Sequence, residues 1–120
     1  MPVKAERTGV DAQVPHGDFG LSIRAIELLR RALAKHPGIV RAIVYGSRAR
    51  GNYRPGSDID LVLEAPQLTA TEFAQIDLEL DDLMLPYQID LSLLHHIDDP
   101  TLREHIASVG RPLWQASESS

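Results

Sequence analysis

A chain of 120 residues, 43% hydrophobic and 24% charged, has the makeup of one soluble globular domain, long enough for a single core but too short for a second lobe holding a large substrate. It contains no cysteine, which excludes disulfides, thiolate catalysis and zinc–cysteine sites. A net charge of −5 argues against broad nucleic-acid binding through phosphate contacts, although ten of the twelve basic residues are arginines and several cluster just after Gly46-Ser47.

Residues 1–19 mix charge, Gly and Pro without period and are expected to form a flexible arm. They contain no apolar export segment, and no run approaches the roughly 18 apolar residues of a membrane span, so the cytoplasm is the expected compartment. The folded domain is expected over 20–114, with a loose tail over 115–120. From about Gly20 the pattern is helical, with Ala25 or Ile26, Leu29 and Leu33 on one face and Pro37-Gly38 as the stop. Ile39–Tyr45 is rich in β-branched residues and predicts a strand. A second strand, Asp58–Glu64, is entered through Pro55-Gly56, a pair that suits a type II turn. Thr69-x-x-Glu72 is a capping box opening a helix whose stripe is Phe73, Ile76, Leu80 and Leu83, with Pro86 ending it. Gln88–Leu94 predicts a third strand. Asp99-Pro100 supplies a cap and a first-turn proline for a last helix that buries Leu102, Ile106 and Val109 and stops at Gly110; RPLW then follows as a short extended tail. The order predicts a small α/β domain, a sheet of three or more strands covered by helices.

Alternation within the second strand puts Asp58, Asp60, Val62 and Glu64 on one face and Ile59, Leu61 and Leu63 on the other. Two carboxylates that close oppose each other's ionisation, and a divalent cation reverses the penalty; all-oxygen ligands favour Mg²⁺ or Mn²⁺. In the third strand Asp90 stands opposite the face of Ile89, Leu91 and Leu93. If the two strands are neighbours, Asp90 completes a three-carboxylate cluster of the kind that two-metal phosphoryl transfer uses. Gly46 permits close backbone approach, and SRARG can open a short helix whose N–H groups and Ser47 hydroxyl bind phosphate. No Gly-Lys-Ser/Thr follows, so this is not a Walker A loop, and Leu61–Leu63 rule out an EF-hand.

The segment GSRARGNYRPGSDID, with QIDL further on, resembles the G-S-x₁₀-D-x-D signature and later third aspartate of the DNA polymerase β-like nucleotidyltransferases, over roughly Leu21 to Trp114. The small size resembles the minimal nucleotidyltransferase (MNT) branch and the antitoxin half of HEPN/MNT toxin–antitoxin pairs. The resemblance implies a polymerase β-like mixed sheet, Gly46 and Ser47 at the nucleotide phosphates, and Asp58, Asp60 and Asp90 holding two Mg²⁺ ions. It also implies ATP as substrate and AMP transfer onto a tyrosine of a HEPN-type ribonuclease toxin, in a hetero-oligomer with that partner. A non-catalytic antitoxin that covers its toxin, and a small-molecule nucleotidyltransferase, are the competing functions; direct nucleic-acid and membrane binding are not expected.

Other groups have plainer readings. At least one of Arg48 and Arg50 is expected to meet phosphate, but arginines beside a helix start are commonly solvated or ion-paired. His95 and His96 read as a polar pair facing opposite sides of an extended segment. Asp77, Glu79, Asp81 and Asp82 read as a solvated helix face.

Overall fold

The structure, a computed structural model, describes residues 18–116. Residues 1–17 of the expected arm and 117–120 of the expected tail lie outside the described residues. A short turn at Asp18–Gly20 precedes helix α1 (Ile23–Ala34), strand β1 (Arg41–Tyr45), the single-turn helix α2 (Ser47–Arg50) and strand β2 (Ile59–Glu64). Helix α3 (Ala70–Asp81), strand β3 (Ile89–Leu93), a 3₁₀ turn at Leu94–His96, helix α4 (Pro100–Val109) and strand β4 (Arg111–Gln115) complete the chain.

The helix starts follow local chemistry. Ser22 caps α1 by accepting from the Ala25 N–H, and Thr69 and Glu72 form the reciprocal capping box of α3. Asp99 accepts from the Thr101 N–H ahead of Pro100 at the start of α4. Helix α3 ends at Asp81, before Pro86 is reached; Met84 takes a positive φ of 56° in the connection, so the chain turns away from the helix without needing the proline. Glu79 is more than a solvated acid: it pairs with Lys35 at 2.9 Å and His36 at 2.7 Å, tying α3 to the end of α1. These two hydrogen bonds, His36 first, hold its carboxyl below the ordinary range.

The strands form one mixed sheet in the order β3-β2-β1-β4. β1 is antiparallel to both β2 and β4, and β2 is parallel to β3. On one face Ala42, Val44, Ile59, Leu61 and Leu63 pack with Leu29 and Leu33 of α1 and Ile76 and Leu80 of α3 to make the main core. On the other face Ile43 and Val62 pack against Ile106 of α4, leaving room for polar residues along the same rungs.

Two expectations are corrected here. RPLW is more than a short extended tail: it is the edge strand β4, paired with β1. Pro112 is tolerated there because an edge strand need not donate at every residue, and a register irregularity at Ala42/Ile43 accompanies the turning of Leu113 into the core. The turn before β2 closes with a Ser57 N–H to Arg54 carbonyl bond of 2.9 Å, but Gly56 is not among the glycines with positive φ. It is therefore not type II; the Ser57 hydroxyl instead braces it by accepting from the Arg54 N–H at 2.8 Å.

Candidate active site

The acids meet because of strand register. Asp60 of β2 stands directly beside Asp90 of the parallel strand β3 on one side and Tyr45 of β1 on the other. Residues so paired share a sheet face, so Tyr45, Asp60 and Asp90 form one polar rung on the face that carries α4. The next rung on that face is Ile43, Val62 and Ser92, and beyond it Arg41 pairs with Glu64 at 2.6 Å. Asp58 lies in the loop one residue before β2, exposed, as is Asp90; Asp60 is half-buried.

Charge at this rung is crowded. Burial, then Asp90, then Asp58 push the Asp60 carboxyl above its ordinary range. The Tyr45 hydroxyl is also raised, first by burial and then by the two acids. Ser92 partly offsets this, yet its contact falls short of a formed bond and leaves Ser92 Oγ buried without a partner among the described residues. Among the described residues no group of three or more His, Asp or Glu side chains converges into a ready-made metal cage. The donor chemistry nevertheless fits a hard divalent ion: the ligands are oxygens, and the like-charge repulsion raising Asp60 is what such an ion relieves.

The corner at the end of β1 abuts this rung. Gly46 precedes α2 with φ 73° and ψ −153°, a conformation that side chains other than glycine rarely adopt. A Cβ on Gly46 would lie 2.3 Å from Asp60 Oδ2. Glycine is thus required by the protein's own carboxylate, which sits where a side chain would be. Ser47 is the first residue of α2 and is not its side-chain cap. The first N–H groups of a helix have no partner within it, so the Ser47 and Arg48 amides and the Ser47 hydroxyl sit together at the corner.

Arg48 must be corrected from a phosphate-binding candidate to an internal clamp. Only 1% of it is exposed. Its guanidinium donates to the carbonyls of Phe19 at 2.9 Å, Pro55 at 3.2 Å and Ser57 at 2.9 and 3.1 Å. The Tyr53 and Tyr87 rings flank it at 5.0 and 4.8 Å. Each of its nitrogens is engaged inside the fold and the side chain is closed off from solvent, so it is not placed to meet a ligand; the residue ties the loop before Asp58 to the turn at Phe19. Arg50 is exposed at the end of α2. His95 and His96 do not face opposite sides: the 3₁₀ turn brings their rings edge to face at 4.4 Å.

Sequence reasoning overlooked His105. From α4 its Nε2 accepts the Gly46 N–H at 3.3 Å, and its ring lies edge-on to Tyr45 at 6.1 Å. Only its position beside the buried Ile106 hinted at contact with the sheet.

The family description "Polymerase beta, Nucleotidyltransferase" matches residues 27–119. A solved protein described as a "putative minimal nucleotidyltransferase" is 33% identical, with 81% of this chain and 97% of that one covered at a TM-score of 0.62. A chain in the crystal structure of a toxin–antitoxin with AMP-PNP is 20% identical over 77% of this chain and 74% of that one, TM-score 0.62. One in the complex of tri-AMPylated Shewanella oneidensis HEPN toxin with MNT antitoxin is 18% identical over 76% and 73%, TM-score 0.52. Curated proteins give no match. With its glycine-serine corner set against a rung of carboxylates, and with these likenesses in sequence and fold, the chain belongs to the polymerase beta nucleotidyltransferase family.

Proposed function

We propose that this protein is the antitoxin of a HEPN-type ribonuclease toxin and silences it by transferring AMP from ATP to a tyrosine hydroxyl of that partner. The observation that carries the reading is the Asp60–Asp90 rung abutting the Gly46-Ser47 corner. The corner has donors for a triphosphate, and the rung has adjacent carboxylates where the α-phosphorus would lie.

Asp58, Asp60 and Asp90 would hold Mg²⁺, and the bound ions would neutralise the triphosphate and the attacking oxygen. The Ser47 hydroxyl and the amides of Ser47 and Arg48 bind the β- and γ-phosphates. The tyrosine oxygen attacks the α-phosphorus as the bond to the β-phosphate oxygen breaks; pyrophosphate leaves and the phenolic proton passes to solvent. Asp90, exposed on edge strand β3, faces the acceptor side. The exposure of Asp58 and Asp90 suits a macromolecular acceptor that brings its own surface. Toxin–antitoxin complexes among the structural neighbours support the same partner.

The test is incubation of the protein with α-labelled ATP, Mg²⁺ and a HEPN-type ribonuclease toxin. Label on a toxin tyrosine, absent with Asp90→Asn, is the expected result. Toxin silenced without label would replace transfer by simple covering of the toxin.

A further inference from the structure

Gly46 is held from two directions. Asp60 Oδ2 occupies the position a side chain would take, and on the other side the Gly46 N–H donates to His105 Nε2 at 3.3 Å. The imidazole is itself located: its ring meets Tyr45 edge-on, with an interplanar angle of 80°. The helix that carries it is anchored independently. Ile106 is buried against Ile43 and Val62, and Arg103 donates to the carbonyls of Leu94 and Ile97, both at 2.8 Å.

Resting on the nucleotidyltransfer reading above, we infer that His105 is a positioning residue through which α4 holds the phosphate-binding corner in its working conformation. Glycine alone has no preference for the conformation at Gly46 and populates many others. A bond from a packed helix to its N–H removes that freedom before nucleotide arrives, so less ordering remains to oppose binding. The same bond commits the Gly46 N–H to the protein. The phosphates are then left to the Ser47 and Arg48 amides and the Ser47 hydroxyl. Accepting at Nε2 requires that nitrogen to be unprotonated, with the ring proton on Nδ1.

Two variants separate the acceptor from the ring. His105→Phe keeps an aromatic ring for Tyr45 but has no acceptor, whereas His105→Gln keeps an acceptor of similar reach and lacks the ring. In ligand-free protein, deuterium exchange at the Gly46 amide, read by NMR, should quicken roughly 2- to 10-fold in His105→Phe, as expected for one neutral hydrogen bond. Mg-ATP affinity, titrated by calorimetry, should fall by a similar factor, and in the transfer assay the loss should appear in the KM for ATP more than in kcat. His105→Gln should restore exchange and affinity to within about twofold of wild type. Wild-type exchange and affinity in His105→Phe would overturn the inference, as would His105→Gln being as impaired as His105→Phe. Wild-type protein that binds no Mg-ATP would instead sink the nucleotidyltransfer reading, and the exchange measurement alone would then decide whether His105 holds the corner.

Discussion

Replacing Arg48 with methionine distinguishes an internal clamp from a phosphate ligand. Methionine approximates the length of the arginine stem and avoids most of a cavity, so the change chiefly deletes the guanidinium. Three carbonyls, those of Phe19, Pro55 and Ser57, then lose a charged donor. A hydrogen bond to a charged group contributes about 1.5–3 kcal/mol, so the gross loss is about 4.5 kcal/mol at the low end. Removing a buried charge returns part of this, because desolvating an ion costs several kcal/mol. A net loss of about 3 kcal/mol is expected, at the upper end of what single substitutions ordinarily cost. For a domain of this size that is a fall of about 12 °C in Tm. Urea denaturation should show a lower midpoint with unchanged slope, and Arg48→Lys should fall between the two because a single ammonium cannot reach all three carbonyls. An unfolding free energy unchanged to within about 0.5 kcal/mol, with weakened Mg-ATP binding, would refute the clamp and restore Arg48 to the phosphate site.

Gly46→Ala places a methyl against Asp60 Oδ2 at a positive φ; the backbone strain costs about 1–3 kcal/mol, and because Asp60 must move, transfer should be lost in protein that still folds by circular dichroism. Asp60→Asn removes a carboxyl whose folded-state pKa is raised, so its ionisation opposes folding: native stability is undiminished below the unfolded value of 3.8 and falls as pH rises through the higher folded value. In metal-free buffer the variant should therefore melt above wild type at pH 7 and equal to it near pH 3, with transfer abolished; a lower Tm at pH 7 would count against the crowded-charge account. Ser47→Ala deletes one hydroxyl while the backbone amides remain, and calorimetry should show Mg-ATP binding weakened on the order of 10- to 100-fold.

Much of this protein is legible in short-range chemistry. Thr69 and Glu72, or Asp99 and Pro100, act within one helical turn, so their capping follows from spacing alone. Alternation within Asp58–Glu64 likewise separates an acid-bearing face from Ile59, Leu61 and Leu63, whatever surrounds the strand. Those local rules, with the glycine-serine corner, are enough for an α/β domain and for naming the three aspartates. They are silent on neighbours. That Asp60 stands beside Asp90 depends on β2 pairing parallel to β3 in one register, and a slip of one residue would have turned Asp90 to the opposite face. Arg48 reads as a surface residue near a helix start, but carbonyls from Phe19, Pro55 and Ser57 and the Tyr53 and Tyr87 rings close around it from distant segments. RPLW reads as a short extended tail until the exposed edge of β1 offers it pairing. His105 differs from any exposed helical histidine only because α4 docks over the sheet and delivers it to the Gly46 N–H. In each case the deciding partner is remote in the chain, so the contact exists only once packing has brought the two together.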